Sequence, residues 1–378
     1  MANVKNIKWK HYISYVVLAA VTILFSLLSF SGALKSSDVY LLEKIAIAIM
    51  LAVSLSMVVG FLGELSLGHA GFMCIGAYLG GKTAVILEPL IGEFPTLLVS
   101  LIVGGLIAAV FGVIIGLPAL RLKGDYLAIV TLAFGEIVRS VFMNSSDDTF
   151  GGSLGLNTPR YDKNYLFIFA FVLVIGCLAV IQNLIHSKHG RAITSIRDNE
   201  IAAKATGINI TKYKLIVFTV SSFFAGIAGV LYSYSNFTVQ STMFSYNYSI
   251  EILVMVVLGG MGSINGSIIA ATLITLLDVK LQTILTGNLA VLQDLFYALV
   301  LIVLVIYNNA PALKGFRDAH SIKNAINRFK KHNPAKIKDD EAKWDRVPTK
   351  IKMDEVLSVD LQVSSPYTPD KPDKEVKK

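Results

Sequence analysis

Nine long apolar runs, separated by short polar stretches, dominate the pattern of this chain. They cover residues 12–34, 41–63, 67–87, 96–118, 126–143, 165–185, 215–235, 250–277 and 289–307. A helix needs about 20 mostly apolar residues to cross the ~30 Å hydrocarbon core of a bilayer. None of the runs alternates with the period of two that is typical of a transmembrane strand. The pattern therefore predicts an all-α, polytopic helical membrane protein.

The composition agrees with that prediction. Of 378 residues, 54% are hydrophobic and only 16% are charged, whereas about 25% are charged in an average globular domain. The two cysteines, Cys74 and Cys177, both lie inside apolar runs, so we expect buried thiols rather than a disulfide framework. The first run is longer than the apolar core of a secretory signal and lacks a clear cleavage site, so we interpret it as a retained span.

The basic residues predict the orientation in the membrane. Lysines and arginines precede the first run, follow the fourth, and occur throughout the segment 186–214, whereas residues 88–95 and 235–249 contain none. Cytoplasmic loops carry an excess of Lys and Arg. Counting spans from a cytoplasmic N-terminus, residues 1–11, places every basic loop inside. We therefore expect both termini in the cytoplasm and a transmembrane domain over 12–307.

The run 250–277 is interrupted by LGGMGSING, residues 258–266, which contain four glycines. A single crossing here would place the C-terminus outside, so either two short spans or a re-entrant pair of half-helices fits the charge pattern. We favour the interrupted arrangement, with about 8–10 transmembrane segments in all. The charged residues 308–378 cannot bury much apolar surface, and we expect a disordered cytoplasmic tail.

The polar segment 186–214 stands out between two apolar runs. Asp198 or Asn199 can cap a helix whose first turn holds Glu200, and Gly207 provides a left-handed stop. A helix of about two turns is too short to be stable alone, and its small side chains favour docking into a groove of another protein. A plain connecting loop is the alternative, but 29 residues is long for a loop, and long loops are often functional.

Ionisable groups and glycine-rich breaks inside the spans are candidates for the translocation path. Intramembrane charges are costly and usually paired, so Glu136 and Arg139, three residues apart, could simply neutralise each other. Helix breaks near the midplane leave backbone groups that suit the charged ends of an amino acid, although glycines also permit close helix packing. The candidate path residues are Glu64, Ser66, His69, Gly71, Glu136, Gly259, Gly260 and Gly262.

Residues 76–83, GAYLGGKT, match the phosphate-binding pattern G-x-x-x-x-G-K-[ST]. Such a loop needs a buried strand before it and a helix after it. This one lies within an apolar run, so we expect no nucleotide site here.

Several motifs, in order, resemble one known family. They are GRAITSIRDNEIAAKATGINITKYK at 190–214, LSLGHAGFMCIGAYLGG at 65–81, GDYLAIVTLAFGEIVR at 124–139, FGGSLGL at 150–156 and ILVMVVLGGMGSINGSIIAA at 252–271. They resemble the branched-chain amino-acid permeases of ATP-binding-cassette (ABC) importers, and more narrowly the M-type permease of the two that pair. The similarity covers residues 41–307; the tail departs from the family's shorter ending.

The resemblance implies an ABC importer permease architecture in which segment 186–214 is the coupling loop. Its partners would be ABC ATPase subunits, a second homologous permease, an extracytoplasmic substrate-binding protein and the lipid bilayer, with no nucleic acid. It implies no catalytic residue, cofactor or metal, because ATP is hydrolysed on the partner chains. The coupling residues are Gly190, Arg191, Arg197, Asp198, Asn199, Glu200, Ala203 and Gly207.

We therefore expect a permease subunit of an ATP-driven importer for branched-chain or related amino acids. Urea or another small amide is an alternative substrate. A stand-alone secondary transporter or channel, using Glu64, His69 and Glu136 as a proton relay, is a different class of function. Dependence on an ATPase partner separates the two classes.

Overall fold

The computed structural model of the chain describes residues 4–31, 35–122, 124–159, 161, 163–284, 298, 299, 302 and 306. The chain divides into two units, Met1–Asn308 and Asn309–Lys378. The second unit, with the predicted tail 308–378, lies outside the described residues, as does most of the predicted run 289–307. The described part is almost entirely helical, which confirms the all-α prediction.

Thirteen α-helices follow one another in the described residues. They are α1 (Val4–Phe30), α2 (Ser36–Ser56), α3 (His69–Ile75), α4 (Gly81–Ile91), α5 (Glu93–Ala119), α6 (Asp125–Met143), α7 (Asp147–Phe150), α8 (Lys163–His186), α9 (Lys188–Asp198), α10 (Glu200–Ala205), α11 (Ile210–Ser235), α12 (Tyr246–Gly259) and α13 (Ile264–Ile284). Two π-helical segments, Met57–Leu62 and Gly76–Gly80, extend α2 and join α3 to α4. A 3₁₀ turn covers Ser241–Phe244. Strands β1 (Leu156–Asn157) and β2 (Thr238–Val239) form one antiparallel pair.

Within the described residues, seven helices are long and apolar enough to cross a membrane. They cover Ser36–Leu62, His69–Ile91, Glu93–Ala119, Asp125–Met143, Tyr165–His186, Ile210–Ser235 and Ile264–Gln282, and shorter apolar helices cover Val17–Ser29 and Tyr246–Gly259. The protein is therefore a multi-pass membrane protein. The span Ser36–Leu62 corresponds to the second apolar run of the sequence and is called here the second span. Its residues 45–60 are all buried, which is typical of a helix that is apolar all round and surrounded by others.

Helix α11 runs from one end of the bundle to the other. It begins just after α10 and ends just before β2. Its 26 residues rise ~1.5 Å each, which gives a length of about 39 Å. The two ends are called here the α9–α10 end and the β1–β2 end.

Glycines bring the central helices into close contact. A Cβ on Gly76 would collide with the backbone carbonyl of Gly226 in α11. A Cβ on Gly226 would lie 2.8 Å from the carbonyl oxygen of Gly104 in α5. Small residues at such contacts are how membrane helices approach backbone to backbone. The glycines therefore set the spacing of α3–α4, α5 and α11.

The glycine-rich run after α11 is interrupted, as the sequence favours. Helices α12 and α13 pack against each other and are joined by a turn in which Gly260 and Gly262 have φ of 92° and 82°. The 14 residues of α12 extend about 21 Å, less than the ~30 Å of a bilayer core. Helix α12 is thus a partial span followed by a full-length helix.

Candidate coupling and translocation sites

The polar segment 186–214 forms two helices rather than one. Ser187 Oγ caps α9 by accepting hydrogen bonds from the N–H groups of His189 and Gly190. Asn199 Oδ1 caps α10 by accepting from the N–H of Ala202 at 3.0 Å, and Gly207 ends it with φ of 85°. Of the two predicted caps, Asn199 is the one used, and the left-handed stop is confirmed.

Helix α9 was not predicted from the sequence. Its inner face buries Gly190, Ile193 and Ile196, which are spaced three residues apart. That spacing, after a capping Ser187, is the signal that could have revealed it. Arg191 lies on the exposed side of α9, and Ala203 is the buried residue of α10.

Arg197 ties α9 to the end of the second span. Its Nη1 donates a hydrogen bond to the carbonyl oxygen of Gly60, at 3.1 Å. Its Nε and Nη2 donate to Oδ1 of Asp198, at 3.1 and 3.0 Å. Asp198 therefore orients the guanidinium, and the remaining nitrogen reaches the backbone of the π-helical segment.

The same arginine adjoins the turn between α12 and α13. A Cβ on Gly60 would lie 2.5 Å from the backbone nitrogen of Gly262. A Cβ on Gly63 would lie 2.6 Å from Cγ of Arg197. A Cβ on Gly262 would lie 3.7 Å from Nη1 of the same arginine. Three segments therefore meet at one point, called here the Arg197 junction: α9, the end of the second span and the α12–α13 turn.

The candidate path residues Gly259, Gly260 and Gly262 belong to this turn. A Cβ on Gly259 would collide with the backbone of Gly266, where α12 and α13 cross. The structure therefore places these three glycines at the α9–α10 end. Their part in the translocation path stays a prediction.

A buried ion-pair cluster lies beside the junction. The side chain of Lys214, in α11, is only 2% exposed. Its Nζ lies 2.5 Å from Oε1 of Glu64 and 3.7 Å from Oε1 of Glu200. A buried ammonium needs such partners, because taking it out of water is costly. Glu64, a predicted path residue, is thus held by a lysine of the polar segment 186–214.

Lys214 was missed by the sequence analysis. It is the last basic residue before the apolar part of α11, where long side chains usually reach back to water. Here its ammonium group instead lies between Glu64 and Glu200. A lysine at the start of a span, with two glutamates on neighbouring segments, is a weak signal from sequence alone.

A second centre lies where α3 begins, inside the bundle. The N–H of Leu67 donates to Oγ1 of Thr131 at 3.0 Å, and the N–H of Ala70 donates to Oγ of Ser249 at 3.1 Å. A Cβ on the predicted path residue Gly71 would lie 2.7 Å from Cα of Gly135. Thr131 and Gly135 are interior to α6, so α3 starts within the depth of that span rather than at its end.

His69 is the first residue of α3 and is 2% exposed. Its Nε2 lies 2.8 Å from Oγ of Ser54, whose hydroxyl donates to the carbonyl of Leu51. Within the described residues, Ser66 Oγ is a buried hydroxyl without a hydrogen-bond partner. The predicted path residues Ser66 and His69 thus flank the beginning of a helix that starts inside the bundle.

Glu136 connects α6 to the beginning of α12. Its Oε2 accepts from Nε of Arg139 at 2.8 Å, the neutralising pair that the sequence suggests. Its Oε1 accepts from the N–H of Tyr246, the first residue of α12, also at 2.8 Å. A carboxylate is favourable at a helix N-terminus. The helix His69–Ile91, which begins with α3, and the partial-span helix α12 therefore begin beside neighbouring turns of α6.

The predicted proton-relay residues have separate partners. Glu64 pairs with Lys214, His69 with Ser54, and Glu136 with Arg139. Across the part of the chain that the structure describes, no hydrogen bond joins any two of the three. The phosphate-loop pattern 76–83 lies in continuous helix, so the strand-and-loop geometry that such a site needs is not formed there.

Comparison with known proteins gives one family. The model of the branched-chain amino acid transport system / permease component family matches residues 38–307. The high-affinity branched-chain amino acid transport system permease protein LivM of Escherichia coli is 38% identical over 260 residues, and that of Salmonella typhimurium is 37% identical over 260 residues. Each alignment covers 60% of this chain and 60% of the relative, so the chain spans three fifths of the length of these relatives.

A more distant similarity extends further along the chain. The ribose import permease protein RbsC of Escherichia coli is 26% identical over 290 residues, which cover 71% of this chain and 84% of that protein. No solved structure matches the chain.

Proposed function

Because the chain belongs to the branched-chain amino acid transport system permease family, we propose that it is the membrane-spanning permease subunit of an ABC importer. Its substrate is a branched-chain or related apolar amino acid. ATP is hydrolysed on separate ATPase subunits, and this chain converts their movement into a change of access across the membrane.

The Arg197 junction is the observation that carries the proposal. A coupling element must be attached to the spans that it moves. Arg197 is hydrogen-bonded to Gly60 in one span and lies beside Gly262 in the α12–α13 turn. The buried Lys214 adds a second attachment, to Glu64 on one side and Glu200 on the other. A push on α9 and α10 therefore reaches the second span and the α12–α13 turn directly.

The outer face of α10 has the properties of a docking surface. Ile201 is 80% exposed, and its neighbours Ala202, Ala205 and Thr206 are small and exposed. A large apolar side chain that stands out among small ones can fill a pocket on a partner when the two surfaces dock. We propose that Ile201 enters a groove of the ATPase, with the predicted coupling residues Gly190 to Gly207 forming the rest of the contact.

The orientation follows from the same assignment. An ATPase is cytoplasmic, so the α9–α10 end faces the cytoplasm and the β1–β2 end faces outward, where a substrate-binding protein delivers solute. The clusters of Lys and Arg support this orientation. Both termini are then cytoplasmic. The proposal keeps a transmembrane domain over 12–307, a coupling loop over 186–214, a cytoplasmic tail over 308–378, and a second, homologous permease beside this chain.

The experiment is ATP-dependent uptake by the assembled importer. The chain is co-expressed with the ATPase, second permease and binding protein encoded beside it, and reconstituted into vesicles. We expect uptake of leucine, isoleucine or valine that requires ATP and the binding protein. Uptake by this chain without an ATPase would overturn the importer assignment and favour a secondary transporter. ATP-dependent uptake of urea or ribose, but not leucine, would overturn only the substrate assignment.

A further inference from the structure

Helix α12 has one face against the bundle and one open face. The buried face carries Ser249, Ile252 and Val256. The open face carries Asn247, Ile250, Glu251 and Val254, none of them buried. Residues three, four and seven apart lie on the same side of a helix, so these four form one continuous stripe.

A cleft of about 370 Å³ follows this stripe. Its lining includes the polar residues Thr242, Ser245, Asn247, Tyr248 and Glu251 and the apolar residues Ile250 and Val254. The cleft is therefore lined by a residue with a carboxylate, one with an amide and three with hydroxyls, together with aliphatic surface.

The cleft lies at the depth of the membrane interior. The N–H of Tyr246 is bonded to Glu136, which lies seven residues before the outer end of α6 at Met143, or about 10 Å along that helix. Helix α12 then runs on toward the α9–α10 end, and Glu251 follows five residues, or about 8 Å, after Tyr246. Glu251 is thus near the middle of the ~30 Å core.

Lipid does not suit such a lining. Ionisable and polar residues in spans face a bundle interior or a water-filled cavity, because exposure to hydrocarbon is costly. The open face of α6 is a useful contrast. Ile129, Ile137 and Val141 are each 62% exposed there, and all are apolar, as a lipid-facing surface should be.

We infer that the α12 cleft is this chain's part of an aqueous translocation path and that Glu251 binds the ammonium group of the transported amino acid. Asn247 and the hydroxyls of Thr242 and Ser245 donate to its carboxylate. Ile250 and Val254 contact its aliphatic side chain. The inference rests on the proposed function, because it takes the solute to be an amino acid.

Cysteine accessibility tests the inference in the assembled importer. The native Cys74 and Cys177 are 0% and 1% exposed, so they give little background. Asn247→Cys and Glu251→Cys probe the cleft, and Ile137→Cys is the control on the lipid-facing side of α6. We expect a charged, water-soluble thiol reagent to modify the two cleft variants at least tenfold faster than Ile137→Cys, and leucine with its binding protein to slow that modification.

Three results would overturn the inference. Cleft variants as unreactive as Ile137→Cys would show that no water reaches α12. If leucine did not slow the modification, the transported amino acid would not bind in the cleft. Protection by the second permease alone, whether or not leucine is present, would make this face a protein interface instead.

A conservative variant adds an independent readout. Glu251→Gln keeps the shape and removes the charge, so we expect the half-saturating leucine concentration for uptake to rise at least tenfold. An unchanged value would exclude the ammonium contact. Wild-type uptake is measured in the same vesicles. If uptake depends on ATP but the cleft cysteines are unreactive, only this inference is wrong. If the cleft cysteines react but uptake does not depend on ATP, the proposed function is wrong.

Discussion

The guanidinium of Arg197 donates to the backbone carbonyl of Gly60 across 137 positions of sequence. This contact joins the polar segment between two spans to the π-helical end of another span. The α12–α13 turn also approaches Gly60 closely, through Gly262. Gly60, the α12–α13 turn and the polar segment 186–214 therefore meet at one point.

The first prediction concerns Arg197. Arg197→Ala removes the bond to Gly60, so we expect ATP-driven uptake to fall at least tenfold, while the ATPase still binds and still hydrolyses ATP. Uptake and ATP hydrolysis, measured on the same reconstituted complex, check this. Lys212→Ala is the control, because Lys212 is a nearby exposed cation. Equal uptake by both variants would show that the Arg197 junction is not needed for coupling.

The second prediction concerns the space at the junction. Gly60→Ala places a methyl group against the backbone of Gly262, and such overpacking costs about 1–3 kcal/mol. We expect a lower unfolding midpoint in detergent. Gly176→Ala is the matched control, since no atom lies within 4 Å of the added Cβ in α8. A helical Gly-to-Ala change without a clash is neutral or slightly stabilising. Equal midpoints for both would contradict the close approach.

The third prediction concerns the buried lysine. Lys214→Ala leaves Glu64 and Glu200 beside each other without their cation, and breaking a buried pair in this way costs about 3–5 kcal/mol. We expect a large loss of thermal stability, and partial recovery in the double variant Lys214→Met with Glu64→Gln, which removes the uncompensated charge. If the double variant were no more stable than Lys214→Ala, the ion pair would not be the cause.

Much of this architecture follows from the sequence, because long apolar runs determine helices in a bilayer almost by themselves. The break at residues 258–266, the Asn199 cap and the Gly207 stop could also be predicted, because each depends on the residues in its immediate stretch of sequence. The positions of the broken helices in the bundle could not be predicted from the sequence. Gly262 meets Gly60, and Lys214 meets Glu64, through contacts between distant parts of the chain. Contacts between residues that are distant in sequence cannot be predicted from the periodicity or spacing of residues in one chain.

Glu64 is an example of the same limit, and its part in the translocation path stays a prediction. From sequence, the glutamate within GELSLGHAG is predicted to lie on the translocation path, because intramembrane charges are functional candidates. In the structure it neutralises Lys214 at the α9–α10 end. The polar groups that do face an open cleft, Asn247 and Glu251, were passed over because they lie at the edge of an apolar run, where polar residues are ordinary.

The last prediction concerns Ile201. This side chain is 80% exposed at the tip of α10, so Ile201→Asp should leave the fold intact while placing a charge in the apolar groove of the ATPase. We expect the affinity for the ATPase to fall at least tenfold, which corresponds to about 1.4 kcal/mol. Co-purification and titration with the isolated ATPase measure it. Leu154→Asp is the matched control, because Leu154 is an aliphatic residue, 74% exposed, at the β1–β2 end. The docking surface would be wrong if both variants bound the ATPase equally, and the orientation would be wrong if only Leu154→Asp weakened binding.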